Sequence, residues 1–143
     1  MINIIQNTQL FDFKDSNGNN VMQKWADKMP MQPRERGRLD SKIDLLKRVE
    51  TNLPPGLFHP TKCRHIMHLV INGQVTLRPM LCRGPFATQG EFTFLCGATE
   101  KDRKYIPRDA PERAEVNRTD LKLHPEKRCQ HERFNKFPET SIQ

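Results

Sequence analysis

The spacing of apolar and polar side chains changes along this chain, and each change marks an element. Residues 9–14 (QLFDFK) alternate and then stop at the turn-rich DSNGNN, the pattern of a short strand with a sharp end. Asn19 and Asn20 can cap a helix beginning at Val21. Val21, Trp25 and Met29 recur every four residues, which puts them on one face of that helix, ending before Pro30, with Trp25 as its core anchor. Pro33 suits the first turn of a second helix, where its missing N–H costs nothing, and Leu39, Ile43, Leu46 and Val49 form the apolar stripe. Glu35, Asp40, Asp44 and Glu50 interleave with the basic residues of this helix, so its outer face is expected to be solvated and self-paired. Two helices with a short Pro-containing link make an αα-hairpin.

Pro54, Pro55, Gly56 and Pro60 then interrupt regular structure. Residues 63–71 (CRHIMHLVI) and 74–82 (QVTLRPMLC) read as partner strands. Asn72 and Gly73 between them predict a type I′ turn, because both central residues of that turn need positive φ. Pro79 removes one ladder donor and is expected at an edge or a bulge. After a connecting loop, residues 91–97 (EFTFLCG) form a third strand, with Phe92, Phe94 and Cys96 on one side and Thr93 and Leu95 on the other. A polar turn over residues 98–109 leads to a helix over 111–123, whose packed face carries Ala114, Asn117, Arg118 and Leu121. Strands in succession after helices indicate an α+β fold with an antiparallel sheet. Residues 1–124 are expected to form a single domain. Residues 125–143 have little periodicity and form a C-terminal extension, either draped over that domain or disordered.

Composition adds a partner class. With 35% hydrophobic and 29% charged residues the core should be small, and a net charge of +7 favours anionic partners. The charge is unevenly placed. Residues 51–90 contain no Asp or Glu, while Lys62, Arg64, Arg78 and Arg83 lie near His59, His65 and His68. A sheet edged only with cations is expected to meet a polyanion. No apolar run approaches the ~20 residues of a membrane span and the first residues lack a signal-peptide pattern, so a cytoplasmic protein without a membrane partner is expected. Cys63, Cys82 and Cys96 fall in strand-like segments, which fits reduced thiols better than a disulfide framework.

Most catalytic chemistries lack their residues. Cys63 with His68, and Cys129 with His131, do not match structural zinc spacings, so no metal is expected. The absence of a glycine-rich phosphate loop, an H-E-x-x-H helix and a nucleophile elbow leaves no small-molecule cofactor expected. What remains is the basic sheet. Cleaving RNA without a metal would need a base for the 2′-hydroxyl proton, cations for the phosphate and an acid for the leaving oxygen, and any basic RNA-binding domain shows the same residue types. Arg78, Lys101, Lys104, Tyr105, His65 and His68 supply these three types near strand positions.

The layout resembles the RelE-like toxin superfamily, especially its HigB or phage-derived branch, over residues 9–123. The likeness lies in VMQKWADKMP, IMHLVINGQVTLRPML, EFTFLCGATEKDRKYIP and PRDAPERAEVNR, the last with Ala114 and Arg118 nearest the family's A-x-x-R pattern. The resemblance implies a β-α-α-β-β-β-α order with an antiparallel sheet packed against the αα-hairpin. It further implies the toxin component of a toxin–antitoxin system, a metal-independent endoribonuclease that binds the ribosomal A site, cuts translated mRNA and inhibits translation. Its partners would be ribosome-bound mRNA, rRNA and a cognate antitoxin. Arg78 matches the arginine that polarises the scissile phosphate, Lys101 the second member of a basic pair after the last strand, and Tyr105 a downstream tyrosine that positions or donates a proton. His68 would be the base, with Lys62, Arg64, Arg83, Arg103 and Lys104 as RNA contacts. Two positions depart from the pattern: His68-Leu69-Val70 stands where many members have Glu-Leu-Arg, and Glu100 stands where the first lysine of the pair would be. An anion there opposes phosphate binding. The alternative is therefore a catalytically inactive phage or mobile-element protein of the same fold that binds nucleic acid or a protein. A third reading is a basic protein that binds an acidic partner with no RNA role.

Overall fold

The strand EFTFLC is buried at its first five positions, so protein must cover both of its faces. The computed structural model describes residues 8–29, 33–47, 55–87 and 89–135. The element order is β1 (Gln9–Phe13), α1 (Val21–Lys28), α2 (Pro33–Asp44) with a 3-10 turn at Leu45–Lys47, β2 (His59–Pro60), β3 (Met67–His68), β4 (Thr76–Leu77), β5 (Met80–Arg83), β6 (Glu91–Cys96), β7 (Thr99–Lys101), β8 (Lys104–Ile106), α3 (Ala110–Leu123) and β9 (Arg128–Gln130). Six strands form one sheet in the order β2-β3-β5-β6-β1-β9, and β4-β7-β8 form a second. Among the described residues only β1 and β6 run parallel, giving an α+β arrangement with three helices and an antiparallel-dominated sheet.

Alternation along the strands divides the core in two. Leu10, Leu81, Phe92 and Phe94 pack with Met22 and Ala26 of α1 and Leu39 and Ile43 of α2. Phe13, Met80, Cys82 and Leu95 pack with Ala110, Ala114 and Leu121 of α3. Each such large apolar side chain contributes roughly 1.5–3 kcal/mol of burial. The local signals for the first helices hold. Asn20 caps α1, its side chain accepting from the N–H of Met22 (2.9 Å) and Gln23 (3.1 Å). The deepest face of α1 is Met22 and Ala26, with Val21, Trp25 and Met29 half-buried beside them. Trp25 lies so close against Gly97 that a Cβ there would collide with its ring. In α2, Leu39 and Ile43 are buried, followed by Leu46; Val49, Arg48, Glu50 and the link between the helices lie outside the described residues.

The central hairpin is displaced from its expected register. Ile71 pairs with Leu77, not Gln74, and Met67 and His68 pair with Leu81 and Met80. Neither Asn72 nor Gly73 adopts positive φ, so no type I′ turn forms there. Arg38 instead donates to the Asn72 carbonyl at 3.2 Å, tying a longer loop to α2. The second strand is also split. β4 pairs with β7, and Pro79, lacking an N–H, sits at the break just before the pairing of β5 with β6 shifts at Met80/Leu81, as expected for a bulge. The two-residue turn with paired positive φ occurs at Asp102 (54°) and Arg103 (65°), where Lys101 faces Lys104. The segment expected as a polar turn is thus a β7-β8 hairpin. Cys96 also leaves the expected alternation, its thiol reaching the Ala110 carbonyl at 3.5 Å on the α3 side.

The folded body runs past the boundary expected at residue 124. β9 pairs with β1, and Phe134 is wholly buried beside α1 and α2. Asp12, itself fully buried, accepts from Asn20 Nδ2 (2.9 Å) and the Glu132 N–H (3.1 Å) and meets His131 Nδ1 at 2.9 Å. Asp40 accepts the N–H groups of Phe134 and Asn135, both at 2.9 Å. Residues 136–143 lie outside the described residues. No described helix is long and apolar enough to cross a membrane.

Candidate functional site

Three short elements and one break in a strand bring the site together. β3 carries His68, and the pairing of β2 with β3 sets His59 directly opposite, the two rings stacked at 5.3 Å and 7°. The β7-β8 hairpin pairs Glu100 with Tyr105, and Arg78 enters from the break between β4 and β5, its N–H held by the Ala98 carbonyl at 2.8 Å. Tyr105 Oη lies 2.9 Å from His68 Nδ1, with the rings edge to face. Arg78 Nε donates to Glu100 Oε1 at 2.7 Å. The sequence-predicted residues His68, Arg78 and Tyr105 are therefore one cluster.

Their environment favours neutral forms of both proton carriers. His68 is 8% exposed, and burial, reinforced by the charges of Arg78 and His59, lowers its pKa to about 4. Burial, with Glu100 adding to it against Arg78, pushes the Tyr105 phenol up. At neutral pH the pair is an imidazole hydrogen-bonded to a phenol. Such an arrangement can accept one proton and release another.

The hairpin extends the cluster outward. A cleft of about 280 Å³ is lined by Lys101, Asp102, Lys104, Tyr105, Ile106, Pro107 and Arg108, so Tyr105 joins the buried pair to a cationic surface. Lys101, Arg103 and Lys104 are exposed. The remaining predicted RNA contacts are dispersed. Lys62 is paired with Glu112 of α3, which raises the lysine pKa and lowers that of the carboxyl. Arg83 lies over the rings of Phe58 (5.4 Å) and Phe92 (5.2 Å), while Arg64 and His65 are exposed on the loop before β3. The acid-free stretch thus receives its acids from other segments.

Thiol chemistry has no support here. Cys82 and Cys96 are pushed up to about 12 by burial, and burial also raises Cys63 and Cys129. Among the described residues no group of three His, Cys, Asp or Glu is arranged to hold a metal ion. Two members of the cluster have roles that sequence patterns do not assign. His59 lies in a two-residue strand with no periodic signal, and Glu100 reads in sequence only as an unfavourable anion, whereas it is the direct partner of Arg78. No protein-family model, curated protein or solved structure matches this chain.

Proposed function

We propose that this chain is a metal-independent endoribonuclease of the RelE/HigB-like kind, the toxin of a toxin–antitoxin pair, acting in the cytoplasm on ribosome-bound mRNA to inhibit translation. The observation that carries the reading is the His68–Tyr105 hydrogen bond beside Arg78, opening onto the cationic β7-β8 hairpin. The succession of a strand, two helices, the antiparallel strands β3, β5 and β6, and a helix supports the same family.

The chemistry follows from the two opposed shifts. A discrete imidazolium at His68 and a discrete phenolate at Tyr105 are both disfavoured by burial, so the pair works best by passing one proton through. With His68 Nδ1–H donated to Tyr105 Oη, Nε2 is free to take the proton of the RNA 2′-hydroxyl. The 2′ oxygen bonds to phosphorus, the bond from phosphorus to the 5′ oxygen breaks, and that oxygen takes the phenolic proton. The Nδ1 proton then restores the phenol. The products are a 2′,3′-cyclic phosphate and a 5′-hydroxyl, with both side chains neutral again. Arg78 and Lys101 are the cations facing the charge on phosphate, and Arg64, Arg103 and Lys104 supply backbone contacts whose strength falls with salt.

The test is a translating extract beside a purified oligoribonucleotide in EDTA. Cleavage in both, abolished by a 2′-deoxy substitution at the cut nucleotide, is expected; intact reporter mRNA with unchanged protein synthesis would sink the reading. A binding-only protein of the same fold is the second reading, favoured by the capture of Arg78 on Glu100. Replacing Arg78 and Lys101 with Ala separates the two, because an enzyme loses cleavage and growth inhibition outright while a binder loses affinity gradually.

A further inference from the structure

Arg78 is held in an incomplete way. Its Nε (2.7 Å) and Nη2 (2.5 Å) converge on the same oxygen, Oε1 of Glu100, where a full fork-to-fork pair would use both carboxylate oxygens. Nη1 is buried and has no hydrogen-bond partner among the described residues. A guanidinium donor left in this state is costly in a folded protein and normally finds an acceptor. The Arg78 side chain is 11% exposed and that of Glu100 is 27% exposed, so the carboxylate is the more accessible partner of the pair. Glu100 projects from a three-residue strand paired with Thr76 and Tyr105. Its side chain can therefore swing out while the strand stays paired.

We infer that Glu100 occupies the position of an RNA phosphate on Arg78 and sets how strongly the site accepts one. A phosphate presents more acceptor oxygens than a single carboxylate oxygen. It can take over the Nη2 and Nε bonds with two separate oxygens, the fork-to-fork geometry that Glu100 does not reach. His68 and Tyr105 lie beside the pair and Asp102 lines the adjoining cleft, so among the described residues Glu100 is the carboxylate that meets Arg78. In the free protein Glu100 neutralises Arg78; on binding it must be displaced, which lowers affinity for every polyanion and rejects those without a well-placed phosphate. The inference rests on the endoribonuclease reading only for naming the anion as RNA.

The experiment is fluorescence anisotropy at low salt with a short 2′-O-methyl oligoribonucleotide, which binds but cannot be cut. Glu100→Gln keeps the shape and removes the charge, and is expected to tighten binding about tenfold. It should also steepen the salt dependence by about one released counterion. Glu100→Asp, too short to reach both nitrogens, should give a smaller gain, and adding Arg78→Lys to Glu100→Gln should erase it. Unchanged or weaker binding in both single variants, with melting temperatures like that of the parent, overturns the inference. Parallel cleavage of an unmodified oligoribonucleotide keeps the two conclusions apart. Tighter binding without cleavage retains the role of Glu100 and removes the nuclease, whereas cleavage with unchanged binding does the reverse.

Discussion

His68 is buried and the side chain of His131 is only 6% exposed, and each meets an oxygen at 2.9 Å through Nδ1, yet their surroundings assign them to different tasks. His68 meets a phenol, stacks on the exposed ring of His59 and lies beside Arg78, whose charge helps keep it neutral. His131 meets the carboxylate of Asp12, which is 0% exposed and already accepts from Asn20 and Glu132, and its ring lies against Phe94 (5.3 Å) and Phe134 (5.6 Å). A neutral phenol and a neutral imidazole can relay a proton, taking up one and releasing another, and both end without charge. A buried carboxylate with several donors instead holds its partner in place. The partner, more than the depth of burial, separates a candidate proton carrier from a fastener.

The strongest way to break that distinction is to remove each ring in turn. His131→Ala takes from buried Asp12 one of its hydrogen-bond partners and opens space beside Phe134, so stability measured by urea unfolding should fall by about 2–4 kcal/mol. His68→Gln should cost about 1 kcal/mol in the same measurement but lower RNA cleavage at least about 100-fold. Equal losses of stability, or cleavage that survives His68→Gln, would erase the contrast.

The two histidines are not equally legible in the sequence. His68, Arg78 and Tyr105 are picked out by residue type near strand ends, and they do converge. The first helices and their Asn20 cap are legible because caps and a four-residue period are local signals. Asn72 and Gly73 carry an equally local signal that fails, since a bond from Arg38, the loss of a donor at Pro79 and the pairing of β4 with β7 decide the register. Conversely, Asp102 and Arg103 take the tight turn without a glycine. The acid-free run is real in one dimension only, because Glu100 and Glu112 fold back onto Arg78 and Lys62. His131 and Phe134 are fixed by Asp12 and Asp40 from distant segments, which no periodicity in the tail reveals.

Titration sharpens the comparison with a smaller effect. His68 is lowered to about 4 in the folded protein from an ordinary value of 6.5. Between those two values the unfolded chain binds a proton that the folded chain does not, so this group makes stability fall as pH drops from 6.5 toward 4, and then level off. The loss is on the order of 2–3 kcal/mol. Urea unfolding of the parent and of His68→Gln from pH 7 to pH 4 should therefore give curves that cross as pH falls, the variant ending the more stable of the two, and curves that stay parallel would contradict the neutral imidazole. In cleavage, the same shift puts the acid limb of the pH–rate profile near 4; a limb near 6.5 would mean that an unburied base does the work.

The smallest expected effect on stability is also the most specific. Tyr105→Phe keeps the ring against His68 and removes only the hydroxyl, leaving Nδ1 without its partner. Unfolding should register a loss of about 1 kcal/mol, because the site is near the surface and a water can reach the freed nitrogen. If the phenol only orients the imidazole, the maximal rate should fall by roughly tenfold with the Michaelis constant unchanged. If the proton passes through the phenol, the fall should be roughly 100-fold or more. A stability loss as large as that of His131→Ala, with the rate unchanged, would place Tyr105 with Asp12 as a fastener and move the proton chemistry away from His68.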